Sequence, residues 1–410
     1  MDSIRRILNE LTGEMIELQR GLTGIPALGP ESGGQGEKEK ADFLAEWVGR
    51  LAPDSLDVIN APDDRVACGY RPNLVAQWKG RKPGPKTWIL THTDVVPPGG
   101  MDLWETDPYT LMVKDGRIYG RGVEDNQHAL VSSLFAVRAI RQAGLTLPRD
   151  VGLVFVADEE TGSALGLRYV LEHHRELFDP ADLILVPDGG NEEGTGIEIS
   201  EKSLLQLKFT VTGKQCHAST PDKGNNSLRA VGHMIVELDR LHELFGAADE
   251  LFKPAVSTFE PTKIEANVPN INTIPGKDVF YLDSRVLPQY DVEQVVAQAR
   301  AIAEGVAAKF GVTVEITPGV DARCAPPTSE SAPVVKVLKQ AIRDILGKDA
   351  FVYGMGGGTV AAFFRHVGFP AVVWSTSEPT AHQPNESCPI QAMVDDAAIF
   401  AQVMLQDAVS

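Results

Sequence analysis

At five places along this chain an apolar stretch ends, or a glycine-rich turn opens, on histidine or a carboxylate, and those side chains together could bind cations. The apolar run 88–90 leads through Thr91 into His92, Thr93 and Asp94, then Val95-Val96-Pro97-Pro98-Gly99. Asp125 sits in the polar loop Gly120-Arg121-Gly122-Val123-Glu124-Asp125-Asn126. Residues 151–157 run into Asp158-Glu159-Glu160-Thr161-Gly162, residues 183–186 end on Pro187-Asp188-Gly189-Gly190, and His382 follows the run 371–374. One Asp after a strand is ordinarily a helix cap or turn residue, and His92 with Asp94 alone reads equally well as a hydrogen-bonded strand end. Five coincidences need another account. Two histidines and several carboxylates converging on one sheet edge repel unless they are protonated or bridged by cations. Imidazole and carboxylate without thiolate suit zinc, cobalt or manganese in a site with open positions. Enough ligands are present for two ions sharing one carboxylate, as in paired-metal hydrolases. On a loop the adjacent Glu159 and Glu160 point apart, one to a metal and one to a bound water as general base.

The elements that must position these groups alternate. Strands are expected at 73–78, 86–90, 151–157, 183–186 and 371–374, a hairpin at 111–119, and helices at 37–51, 129–143, 165–174, 333–346 and 360–367. This is an α/β pattern with a mostly parallel sheet and helices on both faces. Buried parallel strands read as unbroken apolar runs, and ligands of open α/β sheets sit at their carboxyl ends. Between about residues 201 and 321 the pattern changes to strand 203–212, helix 227–244, strands 263–268 and 279–287, helix 292–310 and strand 313–318. That order is a split-βαβ, ferredoxin-like α+β sandwich. The chain is therefore expected to hold a catalytic domain made from residues 1–200 and 322–410, with residues 201–321 inserted.

The formal net charge of −18 over 410 residues argues against sequence-independent binding of nucleic acid or anionic lipid. A small-molecule or peptide partner fits better. Residues 1–20 read as an amphipathic helix and not a signal peptide, and no run approaches the ~20 apolar residues of a membrane helix. Cys68, Cys216, Cys324 and Cys388 are far apart and form no CxxC pair, which suggests reduced thiols in the cytoplasm. Gly354-Met355-Gly356-Gly357-Gly358-Thr359 lacks the end of a P-loop and reads as free amides facing a ligand carboxylate. His128, His174 and His233 read as surface or core fillers. There is no GxSxG and no HExxH.

HTDVVPPG from His92, YGRGVED from Tyr119, DEETG from Asp158, PDGG from Pro187, CHASTP from Cys216, NTIPG from Asn272, DSR from Asp283, GGGT from Gly356 and AHQPNE from Ala381 lie in order over nearly the whole chain. Together they resemble the metallo-amidohydrolase and peptidase family of succinyl-diaminopimelate desuccinylase, acetylornithine deacetylase, aminoacylase, cytosolic dipeptidases and glutamate carboxypeptidase. The resemblance implies that Asp125 bridges two metal ions, that His92 and Asp188 complete one site, and that Glu160 and His382 complete the other. It implies that Glu159 is the general base and that Asp94 orients His92 through its other ring nitrogen. It also implies that the inserted domain is a lid and homodimer interface, from which His217 reaches a partner's active site to steady an oxyanion. Arg285, Asn272 and the amides of Gly357, Gly358 and Thr359 would hold a substrate carboxylate. The expected reaction is hydrolysis of an amide in an N-acyl amino acid or short peptide, by zinc- or alternatively cobalt- or manganese-loaded protein. Asn126-Gln127-His128 stands where the commonest members carry Met-Lys-Gly, and Asp188 where desuccinylases usually have Glu. Both variants occur among peptidase-like and aminoacylase-like members, which weakens a strict desuccinylase assignment without touching the hydrolytic mechanism. A catalytically silent binding relative would lack the general base or a ligand, and all six residues are present.

Overall fold

In the computed structural model of this protein, which describes residues 1–406, the chain forms two compact units. The first comprises Met1–Ile199, Thr328–Val352 and the chain from Thr359 onward, and the second Ser200–Pro327 with Tyr353–Gly358.

An eight-stranded sheet, all but the ends of its last two strands, forms the centre of the first unit. Its spatial order is Ser55–Pro62, Tyr70–Trp78, Val151–Val156, Thr87–His92, Leu183–Asn191, Ala371–Thr376, Gly196–Glu201 and Phe351–Met355. The four strands from Val151–Val156 to Ala371–Thr376 are parallel, as the apolar runs predict, and antiparallel strands flank them. Thr87–His92 and Val151–Val156 are buried at every position, so both faces of the sheet are covered. On one face Leu167–His173 and Ala361–His366 pack over Trp88, Leu90, Val154 and Val156. The other face carries His128–Gln142, which packs against Asp2–Thr23 and Ile390–Leu405. Strand Thr87–His92 lies between Val151–Val156 and Leu183–Asn191, so the chain leaves it once to each side. Its carboxyl end is thus a topological switch point, where an α/β sheet opens a crevice for ligands. Apolar periodicity did not announce Ser55–Pro62 or Gly196–Glu201. The former is an edge strand with an irregular burial pattern, and the latter is buried throughout although it carries Glu198, Ser200 and Glu201.

The second unit has a four-stranded sheet in the order Thr258–Ile264, Lys277–Val286, Ser203–Thr212, Thr313–Ala322, with every neighbouring pair antiparallel. Helices Ser227–Leu238 and Val292–Phe310 pack against it, completing the ferredoxin-like sandwich. Ser203–Thr212 alternates buried and half-buried positions, the burial its period-two sequence asks for. Inside, Phe209 and Phe280 stack with ring centres 4.5 Å apart. Two expectations are corrected. The helix anticipated over 227–244 breaks at Asp239 into Ser227–Leu238 and Arg240–Leu244. The edge strand anticipated at 263–268 lies at Thr258–Ile264, because Asn267 bonds to Asp278 and Pro269 cannot donate to a ladder.

Candidate metal centre

Asp125 is the hub of the first unit's polar cluster. Its Oδ1 lies 2.9 Å from His92 Nε2 and its Oδ2 lies 3.0 Å from His382 Nε2. On the His92 side, Asp188 Oδ1 stands 3.5 Å from the same Nε2, and on the His382 side Glu160 Oε2 is 3.1 Å away. Ligand atoms of His92, Asp125 and Glu160, and of His92, Glu159 and Asp188, each gather within 4.8 Å. The structure therefore brings together all seven groups read from the strand ends, including Asp94.

Each arrives by a local device. His92 ends its strand, and its Nδ1 is 3.0 Å from the carbonyl oxygen of Asp94, which fixes the proton on Nδ1 and turns Nε2 into the cluster. The Asp94 carboxylate is farther from that ring, 3.5 Å, and instead accepts the backbone N–H groups of Glu159 at 3.1 Å and Glu160 at 3.0 Å. Asp94 thus pins the double-glutamate turn, a role beyond the one expected of it. Asp158 enters that turn in a left-handed conformation at φ 59°, held by its own N–H on Glu37 and by its carboxylate on Leu165 N. Glu37 is paired in turn with fully buried Arg71. His382 is likewise left-handed, at φ 62°, a conformation that costs free energy in any residue with a Cβ and that clusters at functional sites.

Two positioning residues were not singled out from sequence. Asn126 donates to Asp188 Oδ1 at 2.8 Å and accepts from His92 N at 3.3 Å, tying two strand ends together. Its peptide bond with Asp125 is cis. Glu386, wholly buried, accepts the N–H groups of Gly122, Glu124 and Asp125 and pairs with buried Arg121. Asn126 was visible only as a departure from a familiar motif, and Glu386 only as the last letter of AHQPNE.

The electrostatics are those of a cation site. Burial would strip His92 of its proton, but the carboxylates of Asp125, Asp188 and Asp94 outweigh it and hold the ring's pKa well above the usual value. Asp125 and Glu160 push His382 up to about 10. Asp125 is held below the normal carboxylate range because the two imidazoles outweigh its burial. Burial, and then the charge of Asp188, raise Glu159 well above its usual value, and burial also raises Glu160. One Glu160 oxygen is buried with no partner. Protons here stand in for positive charge that divalent ions supply better, and the donor set of imidazole nitrogen and carboxylate oxygen fits such ions.

The remaining predicted residues fall in two small groups of the second unit, apart from Thr359. His217 is exposed on the short ribbon Cys216–His217, paired with Thr273–Ile274, and the carbonyl of Asn272 accepts from Ala218 N at 2.9 Å. Ser219 N donates to His217 Nδ1 at 3.1 Å, which places that ring's proton on Nε2. Arg285 bonds Asp283 and the carbonyl of Gly356, beside Gly357 and Gly358.

A sheet-edge cluster of two imidazoles and four carboxylates at a switch point defines a metallohydrolase-type centre. Residues 88–406 match the model of peptidase family M20/M25/M40, and the chain belongs to that family of metal-dependent hydrolases. It is 39% identical to an uncharacterized metallohydrolase of Methanocaldococcus jannaschii, over 96% of this chain and 100% of that one. A succinyl-diaminopimelate desuccinylase of a Nitratiruptor species is 25% identical over 95% of this chain and 99% of its own. Among solved structures, the YxeP protein of Bacillus subtilis, described as a dinuclear metal-binding peptidase, is 18% identical and superposes with a TM-score of 0.68 over 97% of this chain and 98% of that one. Among the described residues no helix is long and apolar enough to cross a membrane.

Proposed function

We propose that this protein hydrolyses the amide bond of an N-acyl amino acid or short peptide bearing a free carboxylate, in the cytoplasm, with two divalent ions, zinc by preference. The observation that carries the reading is the division of Asp125, whose two oxygens each face a different histidine at 2.9 and 3.0 Å. In this reading Asp125 would serve both ions, His92 and Asp188 would hold one, and Glu160 and His382 would hold the other. When bound, the ions polarise the scissile carbonyl and make a water between them acidic. Glu159, whose proton affinity is raised by burial and by the charge of Asp188, would take a proton from the attacking water and return it to the leaving amine. Asp94 keeps Glu159 and Glu160 from exchanging places by gripping both their N–H groups.

The substrate's carboxylate is assigned to Arg285, Asn272 and the amides of Gly357, Gly358 and Thr359. A Cβ at Gly357 or Gly358 would meet nothing within 4 Å, which leaves room for a ligand beside this backbone. His217, with Nε2–H free to donate, is assigned to the developing oxyanion of a partner protomer in a homodimer formed through the second unit. Peptide cleavage is the companion reading to deacylation, favoured by Asp188 at a position where desuccinylases usually carry Glu.

The test is hydrolysis of N-succinyl and N-acetyl amino acids, dipeptides and acyl-glutamates by zinc- and cobalt-loaded protein, with chelated protein as blank. Metal-dependent release of amine from one class is expected. Silence of metal-loaded protein across the panel would overturn the reading, and full activity in a monomer would remove His217 from it.

A further inference from the structure

A second cluster of metal-ligating atoms lies in the interior of the first unit, and the proposed reaction does not use it. Glu124, His128 and Cys388 are each at most 3% exposed, and one ligand atom from each gathers within 4.8 Å of the others. His128 Nδ1 is 2.7 Å from the carbonyl of Glu124, so that nitrogen carries the ring's proton and Nε2 presents a lone pair. That buried Nε2 has no hydrogen-bond partner, and neither does Glu124 Oε2. Asp396 Oδ2 stands 3.7 Å from the same Nε2, with its carboxylate fixed by the backbone N–H and hydroxyl of Thr376. The Cys388 thiol meets the Glu124 carboxylate and, at 3.5 Å, its neighbour's carbonyl, Pro389 O.

Buried polar atoms are ordinarily paired, and leaving one unpaired costs on the order of 1–3 kcal/mol. Here an unpaired imidazole lone pair and an unpaired carboxylate oxygen face a thiol in a sealed interior. Such a set wants a cation. We infer that Glu124, His128 and Cys388, with Asp396 as fourth ligand, form a structural zinc site distinct from the Asp125 centre. Thiolate with imidazole selects zinc over calcium or magnesium, and four protein ligands leave no open position for chemistry. Zn–N near 2.0 Å and Zn–S near 2.3 Å imply ligand–ligand edges of about 3.5 Å, so the three atoms now within 4.8 Å of one another, and the Asp396 oxygen, must draw together on binding. On binding, the thiol proton is released to solvent and the sulfur–metal bond forms, while Nε2 and the two carboxylates contribute lone pairs. No oxidant or reductant is involved. The ion would fasten the Asp125 loop, the start of helix His128–Gln142, strand Ser387–Pro389 and helix Ile390–Leu405 at one point.

The test is cobalt substitution of the full-length protein, because the Asp125 centre contains no sulfur. Cobalt-loaded protein is expected to hold three ions per chain and to show a thiolate-to-cobalt charge-transfer band in the near ultraviolet. Mild chelation should strip two ions and leave the third, with its band, in place. C388S should lose the band and one ion while keeping the other two. H128Q, which keeps the sulfur, should lower occupancy of the third ion and shift the band, so the inference does not depend on one variant folding. Two ions per chain in excess cobalt with no charge-transfer band in the unmutated protein would overturn it. So would a band that survives in C388S.

Discussion

One loop serves two clusters that differ in almost every physical respect. Asp125 turns toward His92 and His382, while its neighbour Glu124 turns inward toward His128 and Cys388. The first cluster opens to solvent, since the His382 side chain is 54% exposed, and its donors are nitrogen and oxygen only. The second is sealed and includes sulfur. Burial and donor type thus separate a place where ligands must come and go from one where a fixed ion would serve the fold. Adjacent residues in sequence are no guide to shared chemistry when a turn sends them to opposite sides.

The sharpest break of this comparison is Glu159→Gln. Loss of a positioned general base should lower kcat by roughly 10²–10⁴-fold, while metal content measured by atomic spectroscopy stays intact. An unchanged rate would take Glu159 out of the reaction. Next comes Glu386→Ala, which strands buried Arg121 and frees three backbone N–H groups of the shared loop. Removing one partner of a buried pair should cost about 3–5 kcal/mol in denaturant unfolding, and because the loop serves both clusters, both should lose metal together. Loss from one cluster alone would show that the loop does not couple them.

Asn126→Ala should act on the open cluster only. Freeing Asp188 and the His92 backbone from their common tie should weaken metal there by about 10–100-fold in competition with a chelator. The smallest effect per step is that of pH. An imidazole must be neutral to bind metal, and in the metal-free chain Asp125 and Glu160 keep His382 protonated up to about 10. Each unit of acidification below that value should therefore cost the open cluster about tenfold in affinity for the proton displaced. Dialysis at graded pH should empty the open cluster first, and the sealed cluster more slowly, because its ion has no exposed side from which to leave. Parallel loss from both would erase the distinction between them.

Much of the open cluster was legible because its residues interrupt apolar strands, and strand ends are where a parallel sheet collects side chains. The run 88–90 ending in His92 and the run 151–157 ending in Glu159 and Glu160 carried that signal. Glu386 carried none, since its partners are backbone N–H groups more than 250 residues away, which have no side-chain identity. His128 read as a filler because its spacing matches a buried helix face, which it also occupies. Its distinction is an unsatisfied Nε2, and that depends on where Cys388 and Asp396 come to rest. Edge strand Ser55–Pro62 escaped because half-exposed edges mix charges into the pattern.

The anchoring of the Asp125 loop by Glu386 also bears on how the protein is made. During synthesis the chain emerges with Asp125 long before Glu386 and His382, so the loop has neither its buried acceptor nor its second histidine until the last stretch leaves the ribosome. A truncated chain ending before residue 382 would present His92 and Asp125 without the second histidine or the buried acceptor that fixes their loop.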